Sequence, residues 1–322
     1  MLTSISIPYN KNYPGGPGAF IENISIGLED IGMQVTNKFY KGQVIIVIVY
    51  YNIFKLLIAK YLLRKKIILR LDGAYIFLKS SLKIKLQFYA TYLIYKFLAD
   101  GIIFQGNFSK LSIIDVFGES YKKNKVILNG VKALNIKPRN LEKKVDQIKL
   151  VYWANSLNLD NFKNAKIILE QLQKTNPIEF YIIGGNLKND EHLMISSSIK
   201  GLNYLGNLDR REIYKIGEQF DIFIMFKGST CPNALLEANS MGIPVVTPNL
   251  GGNKELIIEE SGVVFQTKNK LPKGNEFIEP IQVILKDLSY YKSKAYKNHK
   301  KNFTHQIMTE NYLSFIKEIL IK

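Results

Sequence analysis

Cysteine is almost absent from this chain: Cys231 is the one example in 322 residues. An internal disulfide is therefore excluded, and a reducing compartment suits the chain. Cys231 reads as a buried helix-start residue; the other reading, a nucleophile, has no histidine near it in sequence. Histidine is scarce as well. His192, His299 and His305 are the three present, and none has metal-ligand spacing, so no metal site is expected. Acid is in short supply, with 27 Asp and Glu against 44 Lys and Arg. Long apolar runs are missing too. Residues 44–63 come closest, but Asn52, Lys55 and Lys60 interrupt them, and a strand over 44–49 followed by a helix explains them better. The opening MLTSISIPYN lacks the basic start and long apolar stretch of a signal peptide, so a cytoplasmic location is expected. No low-complexity tract and no repeat with a period of roughly 20–50 residues is visible.

What is present is enough apolar material, 47% of residues, to bury two cores of ordinary size. The net formal charge of +17 has two readings. One is a set of solvated lysine faces. The other is attraction to an anionic surface. No helix-turn-helix, zinc-finger or RNA-binding pattern appears, so nucleic acid is not expected as a partner. Membrane is the better candidate. Residues 55–66 (KLLIAKYLLRKK) and 79–97 (KSSLKIKLQFYATYLIYKF) interleave lysines with aromatic and aliphatic residues in a helical pattern. Such helices can lie on anionic lipid, or they can cover a parallel sheet with their lysines outward.

Strand and helix patterns alternate along the whole chain. Strands are expected over 4–8, 44–49, 67–71, 102–105 and 125–128, with helices over 19–32 and 107–117 and a long helix before Asp100. A polar, lysine-rich stretch at 132–146 reads as a linker. The alternation then restarts, with strands over 149–153, 179–184, 202–206, 222–226 and 244–247 and helices over 165–174, 210–219 and 232–240. A last helix is expected over 303–321. Alternation of this kind predicts two doubly wound α/β domains, whose ligands bind beyond the carboxyl ends of the strands.

Residues 229–258 are the most informative stretch. Ser229-Thr230-Cys231-Pro232 reads as a cap-and-proline helix start, with Glu237 in the second turn and a stop at Met241-Gly242. An apolar strand follows, then Gly251-Gly252 and Glu255 in a new helical pattern. A helix N-terminus offers N–H groups and positive potential to phosphate. A carboxylate one to two turns further in can accept hydrogen bonds from vicinal hydroxyls, such as those of a ribose. The stretch therefore reads as a nucleoside-diphosphate site, with a solvated helix glutamate as the bland alternative for Glu237.

The same residues resemble the donor signature of glycosyltransferase family 4. The likeness rests on Pro232, Asn233, Leu236, Glu237, Ala238, Gly242, Pro244, Val245, Val246, Gly251, Gly252, Glu255 and Leu256. Further similarity lies in Tyr13-Pro14-Gly15-Gly16-Pro17-Gly18, in Arg70-Leu71-Asp72-Gly73, and in Asn129-Gly130-Val131. The resemblance implies an α/β GT-B fold of two doubly wound Rossmann-like domains facing a cleft. Residues 1–146 would form an acceptor-side domain and 147–302 a nucleotide-sugar domain, with 303–322 a helix crossing back to the first.

It also implies retaining transfer of a sugar from a nucleoside-diphosphate sugar to a glycan or lipid-linked acceptor hydroxyl, without metal or other cofactor. The expected place is the cytoplasm, at the inner face of a membrane. Donor-binding residues would be Gly15, Gly16, Asn155, Gly184, Gly185, Leu208, Asn233, Ala234, Leu235 and Glu237, with Asp72 on the acceptor side. For Gly15-Gly16 and Gly184-Gly185 a plain tight turn is the competing reading.

Two departures from the family pattern bear on catalysis. Ser229 stands where the first acid of the family's glutamate pair is expected; it can cap a helix or bond one sugar hydroxyl, but it carries no charge. Asp160-Asn161 stands where a Lys-Gly pair is expected beside the diphosphate, and Lys163 is the nearest replacement cation. Lys163 and Ser229 are thus the candidate catalytic residues. Two other readings stay open: a catalytically weakened GT-B protein that binds a sugar nucleotide or a partner enzyme, and a sugar-nucleotide epimerase of the same fold.

Overall fold

The computed structural model describes residues 2–9, 15–48, 51–73, 82–132, 147–185, 193, 196–258, 260–269 and 271–321. The expected linker lies outside these residues except for Lys132, as do Tyr13 and Pro14 of the glycine loop and residues 79–81 of the second basic segment. The chain divides into two compact units, Met1–Lys132 with Phe303–Lys322, and Ala133–Asn302.

The first unit holds β1 (Ser4–Ser6), α1 (Gly15–Asp30), β2 (Gln34–Thr36), β3 (Val44–Ile48) and α2 (Ile53–Leu57), then β4 (Lys66–Leu71) and α3 (Leu82–Leu93). It continues with β5 (Gly101–Phe104), α4 (Asn107–Phe117) and β6 (Lys123–Val126). Helices α2 and α3 each run on into a wider π-type turn, over Ile58–Leu62 and Ile94–Leu98. All pairings are parallel, in the order β2-β1-β3-β4-β5-β6. Strand β3 shows why the sequence specifies this layer. Val44, Ile46 and Ile48 join one apolar cluster, with Phe20, Ile24 and Leu28 of α1. Ile45 and Val47 join the opposite one, with Leu56, Ala59, Ile94, Tyr95 and Leu98. A β-branched run buried on both faces is what a central parallel strand requires.

The second unit runs β7 (Ile148–Ala154), α5 (Leu159–Leu172), β8 (Ile178–Gly184), β9 (Leu202–Tyr204), α6 (Arg210–Gly217) and β10 (Ile222–Ile224). There follow α7 (Asn233–Ser240), β11 (Val245–Pro248), β12 (Gly262–Phe265), α8 (Ile278–Lys286) and α9 (Leu288–Asn302). Its parallel sheet has the order β12-β11-β10-β7-β8-β9. The order reverses direction at β7, which is the switch point where open α/β sheets bind ligands. The last helix, α10 (His305–Leu320), packs on α1 in the first unit, with Met308, Tyr312, Phe315 and Ile316 in the same cluster as Phe20. Gly130 permits this join. A Cβ there would lie 2.2 Å from the Thr304 carbonyl oxygen, and His305 N–H donates to the Val131 carbonyl at 3.1 Å.

Three local expectations need correction. Helix α1 begins at Gly15 rather than Ala19 and ends at Asp30, just before Gly32, the expected stop, whose φ of +78° suits the left-handed residue that follows a helix. Helix α5 begins at Leu159, six residues before the expected start, because Asn158 and Asn161 close a capping box. Beyond Gly252 the expected helix is a single tight turn, Asn253–Glu255. No helix among the described residues is long and apolar enough to cross a membrane.

Candidate functional site

The loops leaving the carboxyl ends of β7, β8, β9, β10 and β11 carry the sequence-predicted donor residues of the second unit. They are held by glycines and short hydrogen bonds. Gly184 ends β8 with φ +146°, and a Cβ on it would meet the Ala154 carbonyl oxygen at 2.0 Å. Its N–H donates to Gly206 O at 2.7 Å, and its carbonyl accepts the Tyr204 hydroxyl at 2.8 Å. Gly185 O accepts Leu157 N–H at 3.2 Å. Glycine at 184 is thus a requirement of backbone approach between strands, beyond a plain turn. Asn155 is exposed in the β7–α5 turn, and Leu208 is half-buried in the stretch between Gly206 and the start of α6.

A second set of loops is joined in the same way. Ser229 pairs with Gly251 as an isolated parallel bridge, and Gly252 N–H donates to Ser229 O at 2.7 Å. Cβ atoms on Gly251 and Gly252 would sit 2.4 and 2.1 Å from the Ser229 and Thr230 carbonyl oxygens. Asn253, fully buried, completes the joint. Its Oδ1 accepts Ser229 N–H at 3.2 Å, and its amide nitrogen donates to Thr247 Oγ1 at 2.7 Å and Lys227 O at 3.0 Å. The glycine pair therefore serves to bring the loop after β11 against the loop after β10. Ser229 is not the N-cap of α7: Pro232 is, three residues later, and it makes no side-chain cap hydrogen bond. The main chain of Ser229 is instead engaged with Gly251, Gly252 and Asn253.

Helix α7 opens with Asn233 and Ala234, both half-buried, and has no acid in its first turn. Leu235 is fully buried and its N–H donates to Pro232 O at 3.1 Å, and the amides of a helix's first turn are the ones that face a phosphate placed at its start. Glu237 is not a solvated glutamate. Its side chain is 8% exposed, and Oε1 lies 2.9 Å from Nε of Arg210. A carboxylate this buried keeps its charge only where it is paired or hydrogen-bonded. Arg210 is the first residue of α6, whose start is fixed by a capping box between Asp209 and Glu212. The pair joins residues 27 positions apart, and only the Asp209-x-x-Glu212 box hinted that Arg210 would be held in place.

On α5, Asp160 and Lys163 are both exposed and both helical. Lys163, expected just before the helix over 165–174, instead lies in a capped helix start. Asn158 N–H donates to Asn161 Oδ1 at 2.9 Å, and Asn161 N–H to Asn158 Oδ1 at 3.2 Å.

In the first unit, Gly15 has φ +76°, which explains its own identity. Gly16 is different: a Cβ there would meet nothing within 4 Å. The protein's own packing does not require glycine at 16. Asp72 follows β4 and is ion-paired with Arg70. Arg70 is 1% exposed, lies 4.0 Å over the Phe20 ring, and donates from Nη2 to Gln105 Oε1 at 2.7 Å and Asn129 Oδ1 at 2.9 Å. The Asp72 carboxylate is thereby anchored at the carboxyl end of the sheet by a buried guanidinium. Gln105 and Asn129 were missed as partners because they sit 35 and 59 residues from Arg70. Among the described residues no group of three or more His, Cys, Asp or Glu is placed to hold a metal ion.

Residues 148–287 match the family model described as glycosyl transferases group 1. No curated protein sequence matches the chain significantly. Solved structures match over nearly all of it. A glycosyltransferase from Rickettsia africae is 18% identical, with a TM-score of 0.67, over 97% of this chain and 84% of that one. Alr3699/HepE from Anabaena, solved in complex with UDP, is 16% identical, with a TM-score of 0.70, over 98% and 100%. A sucrose-phosphate synthase from Thermosynechococcus elongatus is 12% identical, with a TM-score of 0.71, over 99% and 98%. The chain has the GT-B fold these structures share, with two Rossmann-like units, and it is glycosyltransferase-like in its second unit.

Proposed function

We propose that this chain is a retaining, metal-independent glycosyltransferase that moves a sugar from a nucleoside-diphosphate sugar to a hydroxyl of a glycan or lipid-linked acceptor. The observation that carries this reading is the buried, Arg210-paired Glu237 behind the start of α7, at the carboxyl end of the second sheet. The Asn233 and Ala234 amides and the helix dipole stabilise charge on the departing diphosphate. Glu237 receives the ribose hydroxyls. The bond from the anomeric carbon to the β-phosphate oxygen breaks, the acceptor oxygen bonds on the same face, and the leaving phosphate takes the acceptor's proton. The UDP complex of the Anabaena protein favours a uridine donor as the first arm to test. The test is turnover in a mixed screen of UDP- and GDP-sugars with glycan and lipid-linked acceptors. Free nucleotide released without acceptor points to an epimerase or hydrolase instead, and binding without any turnover to the weakened GT-B protein. One feature favours that weakened form: the start of α5 is closed by its own asparagine side chains and carries Asp160.

Lys163 is the cation proposed to serve the diphosphate in place of the family's lysine, one turn further along α5. Lys163→Ala is expected to lower turnover more than Asp160→Ala. Losing one charged hydrogen bond to phosphate costs about 1.5–3 kcal/mol, roughly ten- to 150-fold. Removing Asp160 relieves repulsion but also a favourable acid at a helix start, so its net effect should stay small. The reverse order of the two variants in steady-state kinetics rejects the assignment.

Peripheral binding to anionic membrane through the first unit is the second part of the proposal. The basic segments do cover the sheet, through Leu56, Ala59, Ile94, Tyr95 and Leu98. Their outer faces, however, expose more than lysine. Phe54, Tyr61, Leu62, Leu86, Tyr89 and Phe97 are each at least 60% exposed. The two segments are neighbours, since Lys60 Nζ donates to the Leu98 carbonyl at 2.7 Å. Large apolar side chains beside Lys55 and Lys85 suit a lipid interface. Flotation on anionic vesicles at low salt is expected, weakened as salt rises, with each basic residue near the surface contributing about 1 kcal/mol. Equal flotation on neutral vesicles, or none on anionic ones, returns these residues to an ordinary helix surface.

A further inference from the structure

We propose that the carboxyl rim of the first sheet is a subsite for a pyranose, formed by the ring of Tyr51, braced on Tyr9, and by the Asp72 carboxylate. The acceptor hydroxyl then belongs to a sugar and not to a simple alcohol such as the glycerol of a lipid headgroup. That choice of acceptor rests on the transfer reading above; the binding of a sugar does not. Neighbouring strands bring these side chains together. In the sheet order β1 lies beside β3 and β3 beside β4, with neighbouring strands roughly 4.8 Å apart. Tyr9 and Tyr51 each stand three residues past the end of their strand, and Asp72 directly follows β4. The register pairs Ile48, the last residue of β3, with Arg70.

The two rings reach the rim from opposite sides of the sheet. Tyr9 packs on the cluster that holds Phe20 of α1, and Tyr51 on the cluster that holds Leu56 and Ile94. They nevertheless touch, with centroids 5.9 Å apart and planes at 62°. Side chains from opposite faces of a sheet meet only beyond its strand ends, so the pair closes over the end of β3. Tyr9 is locked there: its hydroxyl donates to Ile48 O at 2.6 Å and accepts from Ile48 N–H at 3.0 Å. Tyr51 is half-buried, and among the described residues no hydrogen bond engages its hydroxyl. Burial pushes the pKa of that hydroxyl up, so it stays a neutral donor. On the next strand the charge that reaches solvent is acidic. The Asp72 side chain is 19% exposed and that of its partner Arg70 is 2% exposed.

A ring face beside a carboxylate fits a particular chemistry. A pyranose has an apolar C–H face and a girdle of hydroxyls. The aromatic ring covers the first, and the carboxylate accepts from the second. An alkyl chain would leave Asp72 without a donor, and glycerol offers no ring face to Tyr51. Ile48 holds Tyr9 and Arg70 holds Asp72 before any ligand arrives, so few side chains have to be ordered on binding.

The experiment is saturation-transfer NMR on the full chain with methyl β-D-glucopyranoside, methyl β-D-galactopyranoside, methyl α-D-mannopyranoside and glycerol. The proteins are wild type, Tyr51→Leu, Asp72→Asn and Tyr9→Phe, each with its melting temperature and its affinity for UDP and GDP. At least one pyranoside is expected to receive saturation from wild type, strongest at the ring C–H protons of one face, and glycerol none. Tyr51→Leu keeps an apolar side chain on the cluster and loses the ring. It should weaken the pyranoside by about five- to tenfold, the scale of one aromatic contact, at a similar melting temperature. Asp72→Asn should weaken binding while leaving the C–H pattern in place. Tyr9→Phe, which loses the Ile48 anchor, should weaken it by a smaller factor and blur the pattern, and it decides the matter if Tyr51→Leu does not fold. Unchanged affinity in Tyr51→Leu overturns the proposal, or in Tyr9→Phe where that variant decides. So does saturation of no pyranoside, or of glycerol to the same extent. The nucleotide arm separates the two readings. Nucleotide binding without pyranoside binding removes the subsite and leaves the transfer reading, whereas pyranoside binding without UDP or GDP binding removes the transfer reading and keeps the subsite.

Discussion

Lys292→Ala is expected to lower the unfolding free energy by about 3–5 kcal/mol, the range for breaking one side of a buried ion pair. Lys292 Nζ lies 2.6 Å from Asp221 Oδ1, and the two side chains are 3% and 0% exposed. The other oxygen of Asp221 accepts Lys149 N–H at 2.8 Å. One carboxylate therefore ties α9 to β7, just before β10 begins. Removing the lysine leaves a buried charge held by the Lys149 N–H without its ionic partner. The pair itself need not stabilise strongly, because desolvating both charges offsets much of their attraction. A double variant separates the two ideas. Lys292→Met with Asp221→Asn keeps an acceptor for Lys149 and removes both charges, so most of the stability should return. Denaturant unfolding of the three proteins checks this. A loss below about 1 kcal/mol in Lys292→Ala, the scale of an exposed pair, would falsify the account. Asp221 precedes β10, at the amino end of the sheet and away from the candidate site. Nucleotide affinity per folded molecule should therefore stay unchanged.

The parts of this molecule that sequence revealed are those whose signal is local. The run 44–48 is β-branched throughout and reads as a central parallel strand, because each face must be apolar. Pro232, Met241-Gly242 and the apolar residues between them mark a short helix and its end, and α7 spans Asn233–Ser240. The strands missed at β2 and β12 are short and half-exposed: β2 is Gln-Val-Thr, with no apolar run, and the run in β12, Val263–Phe265, is only three residues long. The start of α5 was legible in principle from Asn158-x-x-Asn161. Reading those residues against a family pattern for a phosphate loop concealed a simple capping box. Ser229 was misread for a related reason. Serine before a proline suggests a cap, but the backbone of Ser229 is taken up by the Gly251–Asn253 turn, which sequence spacing alone does not reveal. Charge partners were the least legible of all. Arg210 and Glu237 are held together by two separate helices, and Lys292 and Asp221 are 71 residues apart. Opposite charges can be counted in a sequence, but which of them meet is decided by the packing of elements.

Glu237→Ala is expected to remove most of the stabilisation that UDP or GDP confers on the protein. A ligand that binds only the native state raises stability by RT ln(1 + [L]/Kd), so a thermal-shift series reads affinity directly. Loss of hydrogen bonds from ribose to a charged acceptor costs about 1.5–3 kcal/mol, a roughly ten- to 150-fold weaker Kd. Two further effects follow from the ion pair at 2.9 Å. Without the carboxylate, Arg210 loses that partner, and at 30% exposure it can turn toward solvent, so the fold should lose only modestly. Its positive charge can also draw the diphosphate toward itself and partly mask the loss of the ribose contact. The double variant Glu237→Ala with Arg210→Ala removes the masking. If Glu237 binds ribose, the double variant should bind UDP no better than Glu237→Ala does, and neither should distinguish UDP from 2′-deoxy-UDP. Nucleotide affinity in Glu237→Ala equal to that of wild type, with the 2′-hydroxyl preference intact, rejects the ribose role for this carboxylate.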